Sequence, residues 1–151
     1  MTTLAALSVD VEDYFQVESL RGFCPRERWS EFEDRTEANT HRVLDLFDTH
    51  RARATFFVLG WCAERHPELV REIAQRGHEV ASHGYAHELV TRQTPEEFRA
   101  DVRRARRLLQ DVSGQSVVGY RAPSYTIVSS TLWALDILAC RLQETGSLPS
   151  D

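Results

Sequence analysis

At 151 residues, with 42% hydrophobic and 27% charged side chains, the chain is the length of one ordinary domain and carries enough apolar residues for a core, which excludes wholesale disorder. Eighteen Lys+Arg against 23 Asp+Glu leave a net charge of −5. With no basic tail, the chain is a poor candidate for binding nucleic acid or an anionic membrane. No apolar run approaches the roughly 20 residues of a membrane-spanning helix. The N-terminus has no basic residue and only a short apolar stretch before Asp10, so no secretion signal is read and a cytoplasmic location is expected. Cys24, Cys62 and Cys140 fall at unrelated spacings, which suggests neither a disulfide framework nor a zinc knuckle.

In chain order, Leu4–Val9 reads as a strand that ends in the acidic cluster Asp10-Val11-Glu12-Asp13. Residues 14–36 mix aromatic and charged side chains without a period and read as irregular. Glu37–His50 reads as a helix with Val43, Leu44 and Phe47 on one face. The β-branched and aromatic run 54–59, stopped by Gly60, predicts a buried strand. Pro67–Arg76 follows as a helix, with Pro67 in its first turn and Gly77 just past its end. Residues 79–82 predict a third strand. Thr94, Pro95 and Glu97 then form a capping box for a long helix whose apolar face is Phe98, Val102, Ala105, Leu109 and Val112. Val117–Tyr120 predicts a fourth strand and Ser129–Ala139 a fourth helix.

Strand–helix alternation repeated four times implies an α/β fold with a parallel sheet, in which reactive residues gather at the carboxyl ends of the strands. The first strand ends in Asp10, Glu12 and Asp13, the third runs into His83 and His87, and the fourth runs into Arg121, Pro123 and Tyr125. The second ends in Gly60-Trp61 and offers no chemistry. Two imidazoles four residues apart, on a helical turn, would have Cβ atoms roughly 6 Å apart and face one way. With one carboxylate they make a three-ligand metal site that leaves positions open. A second carboxylate is then free to take a proton from the attacking water, and Arg121 to keep it ionised and oriented. The reaction this implies is metal-assisted hydrolysis of an amide or ester. His41, His50 and His66 lack partners at useful spacing; Arg103, Arg104, Arg106 and Arg107 read as a solvated helix face, and Phe56, Phe57, Trp61 and Trp133 as packing residues.

Three ordered motifs resemble the polysaccharide deacetylase family (NodB-homology, carbohydrate esterase 4), most closely its exopolysaccharide-locus subgroup. They are Ser8-Val9-Asp10-Val11-Glu12-Asp13-Tyr14-Phe15, the run from Arg76 to His87, and Gly119-Tyr120-Arg121-Ala122-Pro123-Ser124-Tyr125; the run Ala54–Gly60 is similar to the family's second strand. The resemblance covers residues 4–139 and implies a distorted (β/α) barrel that removes acetyl groups from an N- or O-acetylated oligo- or polysaccharide. It implies a divalent metal, zinc in most relatives, with Asp10 as general base and His83 and His87 as ligands. The carboxylate ligand is Glu12, with Asp13 as the alternative. Arg121 resembles the arginine that orients the base. Tyr125 lies near the position whose backbone N–H holds the oxyanion.

The family continues with further strands and a late histidine that acts as general acid, whereas no histidine follows His87 here and residues 140–151 do not match. The expected domain is therefore a partial, C-terminally truncated barrel of about four strands, with Phe56, Phe57 and Val118 under-buried and metal binding better preserved than catalysis. A truncated remnant without turnover and a hydrolase of cyclic amides or ureides stand as alternatives.

Overall fold

A computed structural model describes residues 5–143, and side chains as far as Cys140. The expectations for Leu4, the N-terminal leader and the tail from 144 onward lie outside the described residues. Three short strands, β1 (Ser8–Val11), β2 (Thr55–Val58) and β3 (Glu79–Ser82), form a parallel sheet in that order. Asp10 pairs with Phe57, and Phe57 with Ala81, so these three side chains share one face. Among the described residues, five helices accompany the sheet: α1 (Thr36–Thr49), α2 (Gly60–Arg65), α3 (Pro67–Gln75), α4 (Pro95–Ser113) and α5 (Trp133–Gln143). The chain is thus α/β with a parallel sheet and flanking helices.

The sheet is apolar on the face turned to the helices. Val11, Phe56, Val58 and Val80 are buried there against Leu44 of α1, Leu69, Val70 and Ile73 of α3 and Leu109 of α4. Parallel strands buried on this side carry the β-branched and aromatic residues that the sequence shows. α4 begins at the expected capping box: Thr94 Oγ1 accepts the Glu97 N–H at 3.2 Å and Glu97 Oε2 accepts the Thr94 N–H at 2.8 Å. It ends at Gly114, whose φ of +69° is cheap for glycine.

Several expectations are corrected. The fourth strand is reduced to one parallel bridge, Ser82 to Tyr120. Helix side chains occupy the polar groups that a longer ladder would use: Arg106 Nε donates to the Val117 carbonyl at 2.9 Å, and Gln110 Oε1 accepts the Val117 N–H at 3.4 Å. Gly60 and Trp61 start α2 rather than closing β2. Residues 14–31 contain three 3₁₀ segments, Tyr14–Gln16, Glu18–Leu20 and Arg26–Glu31. His41 and His66 do have partners, Glu72 at 2.9 Å and Asp34 at 2.8 Å. The arginine face of α4 is only partly a solvated one, because Arg104 and Arg106 both engage the fold. Phe56 is fully buried, whereas Val118 is half exposed.

Candidate metal centre

The site sits at the carboxyl ends of the strands. β1 delivers Asp10 and then Glu12; β3 ends at Ser82 and passes directly into His83. The loop 83–87 bends rather than making a helical turn, and His87 takes a left-handed φ of +52°. Even so, the two imidazole centroids lie 5.2 Å apart, nearly perpendicular. Glu12, His83 and His87 each offer one ligand atom, and these atoms all lie within 4.8 Å of one another. Glu12 Oε2 stands 3.2 Å from His87 Nε2 and 3.8 Å from His83 Nε2.

The donor chemistry fits a divalent cation. Glu12 Oε2 is buried and accepts no hydrogen bond, so a full acceptor is left without a protein partner. His83 Nδ1 donates to the Arg121 carbonyl at 2.9 Å, which fixes the tautomer and leaves Nε2 as a lone-pair donor facing Glu12. Burial pushes the Glu12 carboxyl up to about 7, helped by the negative charge of Asp10. Burial likewise lowers His83, and together with the nearby His83 it lowers His87 to about 4. Neutral imidazoles and a carboxyl short of positive neighbours make a pocket that a cation would complement.

Asp10 does not join this triad. Its carboxylate pairs with the Arg121 guanidinium, whose other arm donates to Ser8 Oγ at 2.8 Å. Arg121 also lies 4.0 Å over the Phe57 ring, so an aromatic residue read as core supports the arginine. Asp13 is turned away from the histidines. Its Oδ1 accepts the Tyr14 N–H at 2.7 Å and Arg35 Nη2 at 3.2 Å, and its Oδ2 accepts the Arg35 N–H at 2.6 Å. That carboxylate caps the first 3₁₀ segment and leaves Glu12 as the carboxylate facing the imidazoles. Tyr125 is 75% exposed, and its N–H donates to the Ala122 carbonyl at 3.0 Å. Ser124 and Tyr125 both have positive φ, at +49° and +55°, a strained pair at the end of the arginine motif.

Sequence reasoning missed the supports of the histidine loop. The N–H groups of Gly60 and Trp61 donate to the Gly84 and Tyr85 carbonyls at 2.9 and 2.8 Å. A Cβ on Gly60 would stand 2.6 Å from the Tyr85 ring, so close approach requires glycine there. On α4, Asp101 accepts the Tyr85 N–H at 3.1 Å. A glycine after the second strand was the available signal for the first of these contacts; nothing local marked Asp101.

The sequence model described as polysaccharide deacetylase matches residues 24–141. A chitooligosaccharide deacetylase of Bradyrhizobium sp. (strain ANU 289) is 36% identical over 100 residues, covering 66% of this chain and 43% of the relative. A peptidoglycan-N-acetylglucosamine deacetylase of Bacillus cereus is 32% identical over 98 residues, covering 64% of this chain and 36% of the relative. Among solved structures, a candidate polysaccharide deacetylase from Mycobacterium smegmatis superposes with a TM-score of 0.71 at 31% identity, over 90% of this chain and 47% of that one. A pseudoenzyme of carbohydrate esterase family 4 from Bacillus anthracis shares the fold with a TM-score of 0.66 at 18% identity, over 87% and 39% of the two chains. The chain therefore spans less than half the length of these relatives. With a family match over most of its length and its fold shared with solved members, the chain belongs to the polysaccharide deacetylase family.

Proposed function

We propose that this chain carries the metal-dependent hydrolytic centre of a deacetylase acting on an N- or O-acetylated oligo- or polysaccharide, with Glu12, His83 and His87 holding a divalent cation, zinc by the chemistry of the donors. The observation that carries this reading is the convergence of those three donors within 4.8 Å around a buried Glu12 oxygen that has no hydrogen-bond partner. When bound, the cation supplies Lewis-acid polarisation of the acetyl carbonyl. The chain's own residues supply the proton chemistry. Asp10, half-buried and paired with Arg121, is placed to accept a proton from water as its oxygen attacks the acetyl carbon. Arg121 orients that carboxylate through their ion pair, and is itself braced by Ser8 and Phe57. The bond between carbon and the sugar nitrogen or oxygen then breaks, acetate leaves, and the proton passes to the sugar. The names of the relatives, which act on chitooligosaccharides and peptidoglycan N-acetylglucosamine, support an acetylated sugar polymer as the substrate class.

Metal binding without turnover is the second reading. It is favoured by the Tyr125 N–H, which spends its hydrogen bond on Ala122 rather than on an open site. Calorimetric titration with Zn²⁺ and acetate release from N-acetylglucosamine oligomers separate the two. The deacetylase reading expects saturable zinc binding that a His83→Ala/His87→Ala variant abolishes. It also expects acetate release that Asp10→Asn lowers by roughly 10²–10⁴-fold while zinc binding persists. Zinc binding without acetate release selects the second reading, and no zinc binding by the parent chain overturns both.

A further inference from the structure

The loop that carries both imidazoles is intrinsically awkward. It is not helical, Gly84 takes φ +78° and His87 takes φ +52°, a conformation that non-glycine residues adopt only where their surroundings enforce it. Its first two residues are tied to the sheet: the His83 N–H donates to the Val58 carbonyl at 3.0 Å, and the Gly84 N–H to Ser82 Oγ at 3.2 Å. Its midpoint, Tyr85, is held from two helices. α2 takes the Tyr85 carbonyl through the Trp61 N–H, and α4 takes the Tyr85 N–H through the Asp101 carboxylate, whose two oxygens lie 3.3 and 3.1 Å from that nitrogen.

The side chain of Tyr85 is clamped as well. Its hydroxyl donates to Glu64 Oε2 at 2.5 Å, and the Arg104 guanidinium lies 3.4 Å over its ring and 3.1 Å from Glu64. Asp101 and Arg104 stand three residues apart on α4, so both reach the same loop from one helix face. The fit is close: a Cβ on Gly84 would lie 3.0 Å from Asp101 Oδ2. Burial pushes the Asp101 carboxyl upward, and the Tyr85 N–H works against that shift by favouring the charged form.

We propose that Asp101 is a positioning residue for the metal centre: by accepting the Tyr85 N–H it fixes the loop midway between His83 and His87 and so sets both imidazoles against Glu12. Asp101 touches none of the three ligands. Its effect passes along two residues of backbone on either side of Tyr85. Groups that orient metal ligands from behind commonly change affinity by roughly 10–100-fold when removed. This inference rests on the metal-centre reading above.

The test uses the full chain and zinc as the probe. The Zn²⁺ dissociation constant, measured against a chromogenic chelator, is compared for the parent chain, Asp101→Ala and Asp101→Asn, alongside metal-free melting temperatures. Asp101→Ala weakens zinc binding by roughly 10–100-fold. Asp101→Asn stays within about threefold of the parent, because its amide oxygen still accepts the Tyr85 N–H. A purely structural Asp101 would lower the metal-free melting temperature and leave the zinc affinity of the folded chain unchanged, which overturns the proposal. Equal loss in both variants also overturns it, since charge and not the hydrogen bond would then matter. Amide exchange of Tyr85 in the parent chain gives a check that survives an unfolded variant: slow exchange is expected, and exchange as fast as an open loop overturns the anchor. A parent chain that binds no zinc sinks the metal-centre reading, whereas zinc binding that ignores Asp101 sinks only this one.

Discussion

Glu12 and His87 are neighbours whose protonation preferences pull against each other. The Glu12 carboxyl is raised to about 7 by burial and by Asp10, so in the metal-free chain it keeps a proton that the unfolded chain gives up above the ordinary carboxylate value of 4.5. The native state then binds more protons than the unfolded state across that window, and its stability falls as pH rises through it. His87 is lowered to about 4 from an ordinary 6.5, chiefly by burial. Here the unfolded state binds the extra proton, and stability rises with pH through that window. The two slopes oppose each other over most of their range, so in the parent chain the Glu12 contribution offsets that of His87. Glu12→Gln removes the falling component alone. Metal-free urea unfolding of that variant should gain stability between about pH 4 and 6.5, with a slope approaching about 1.4 kcal/mol per pH unit. A variant whose profile parallels that of the parent would show that Glu12 does not sense the buried environment described here.

The same site depends, at the scale of elements, on a helix that supplies none of the three donors. α2 begins where β2 ends, and its first two N–H groups point into the histidine loop. Gly60→Ala tests this directly. Alanine favours a helix over glycine by about 1 kcal/mol, so local propensity predicts a gain. The new Cβ would instead stand 2.6 Å from the Tyr85 ring and 3.2 Å from its Cα, and the loop must move to admit it. Zinc affinity should fall by about tenfold or more, measured by chelator competition. An unchanged affinity would mean that the loop relaxes without disturbing its histidines. This contact also marks the limit of what the sequence discloses. Asp10, Glu12, His83, His87 and Arg121 were legible because each carries its chemistry in its side chain and follows an apolar run. Gly60 and Trp61 act through backbone N–H groups, which every non-proline residue owns, so residue type announces nothing. Asp13 stood as the alternative to Glu12 because spacing along a strand end does not disclose which carboxylate meets a backbone N–H first. α1, α3 and α4 were legible from period and caps, whereas α5 begins at Trp133 instead of Ser129, α2 was not foreseen, and the strand expected over Val117–Tyr120 did not form, because a strand exists only if a neighbour accepts its ladder.

That missing ladder matters most for the whole molecule. Parallel sheets are ordinarily covered on both faces. Here one face packs on helices, while the other presents Ser8, Asp10, Thr55, Phe57 and Glu79, all exposed or half-buried. Thr55 and Glu79 satisfy each other at 2.5 Å, and Arg121 serves Asp10 and Ser8, so that face is polar enough to meet water. The apolar liability lies instead beyond the Ser82–Tyr120 bridge. Val118 is 50% exposed and Leu135 of α5 is 49% exposed, and a cavity of about 220 Å³ lined by Val102, Val117, Tyr120 and Leu138 opens beside Val118. Beyond that bridge the sheet has no further strand among the described residues, and an open edge next to exposed aliphatic side chains is a template for association. Sedimentation velocity should therefore show a weight-average coefficient that climbs with concentration for the parent chain. Val118→Lys/Leu135→Lys, which places two charges at exposed positions without touching the metal ligands, should hold one slow species across the same range while binding zinc as before. If the double variant associates as strongly as the parent, the contact does not involve this edge and lies elsewhere on the surface.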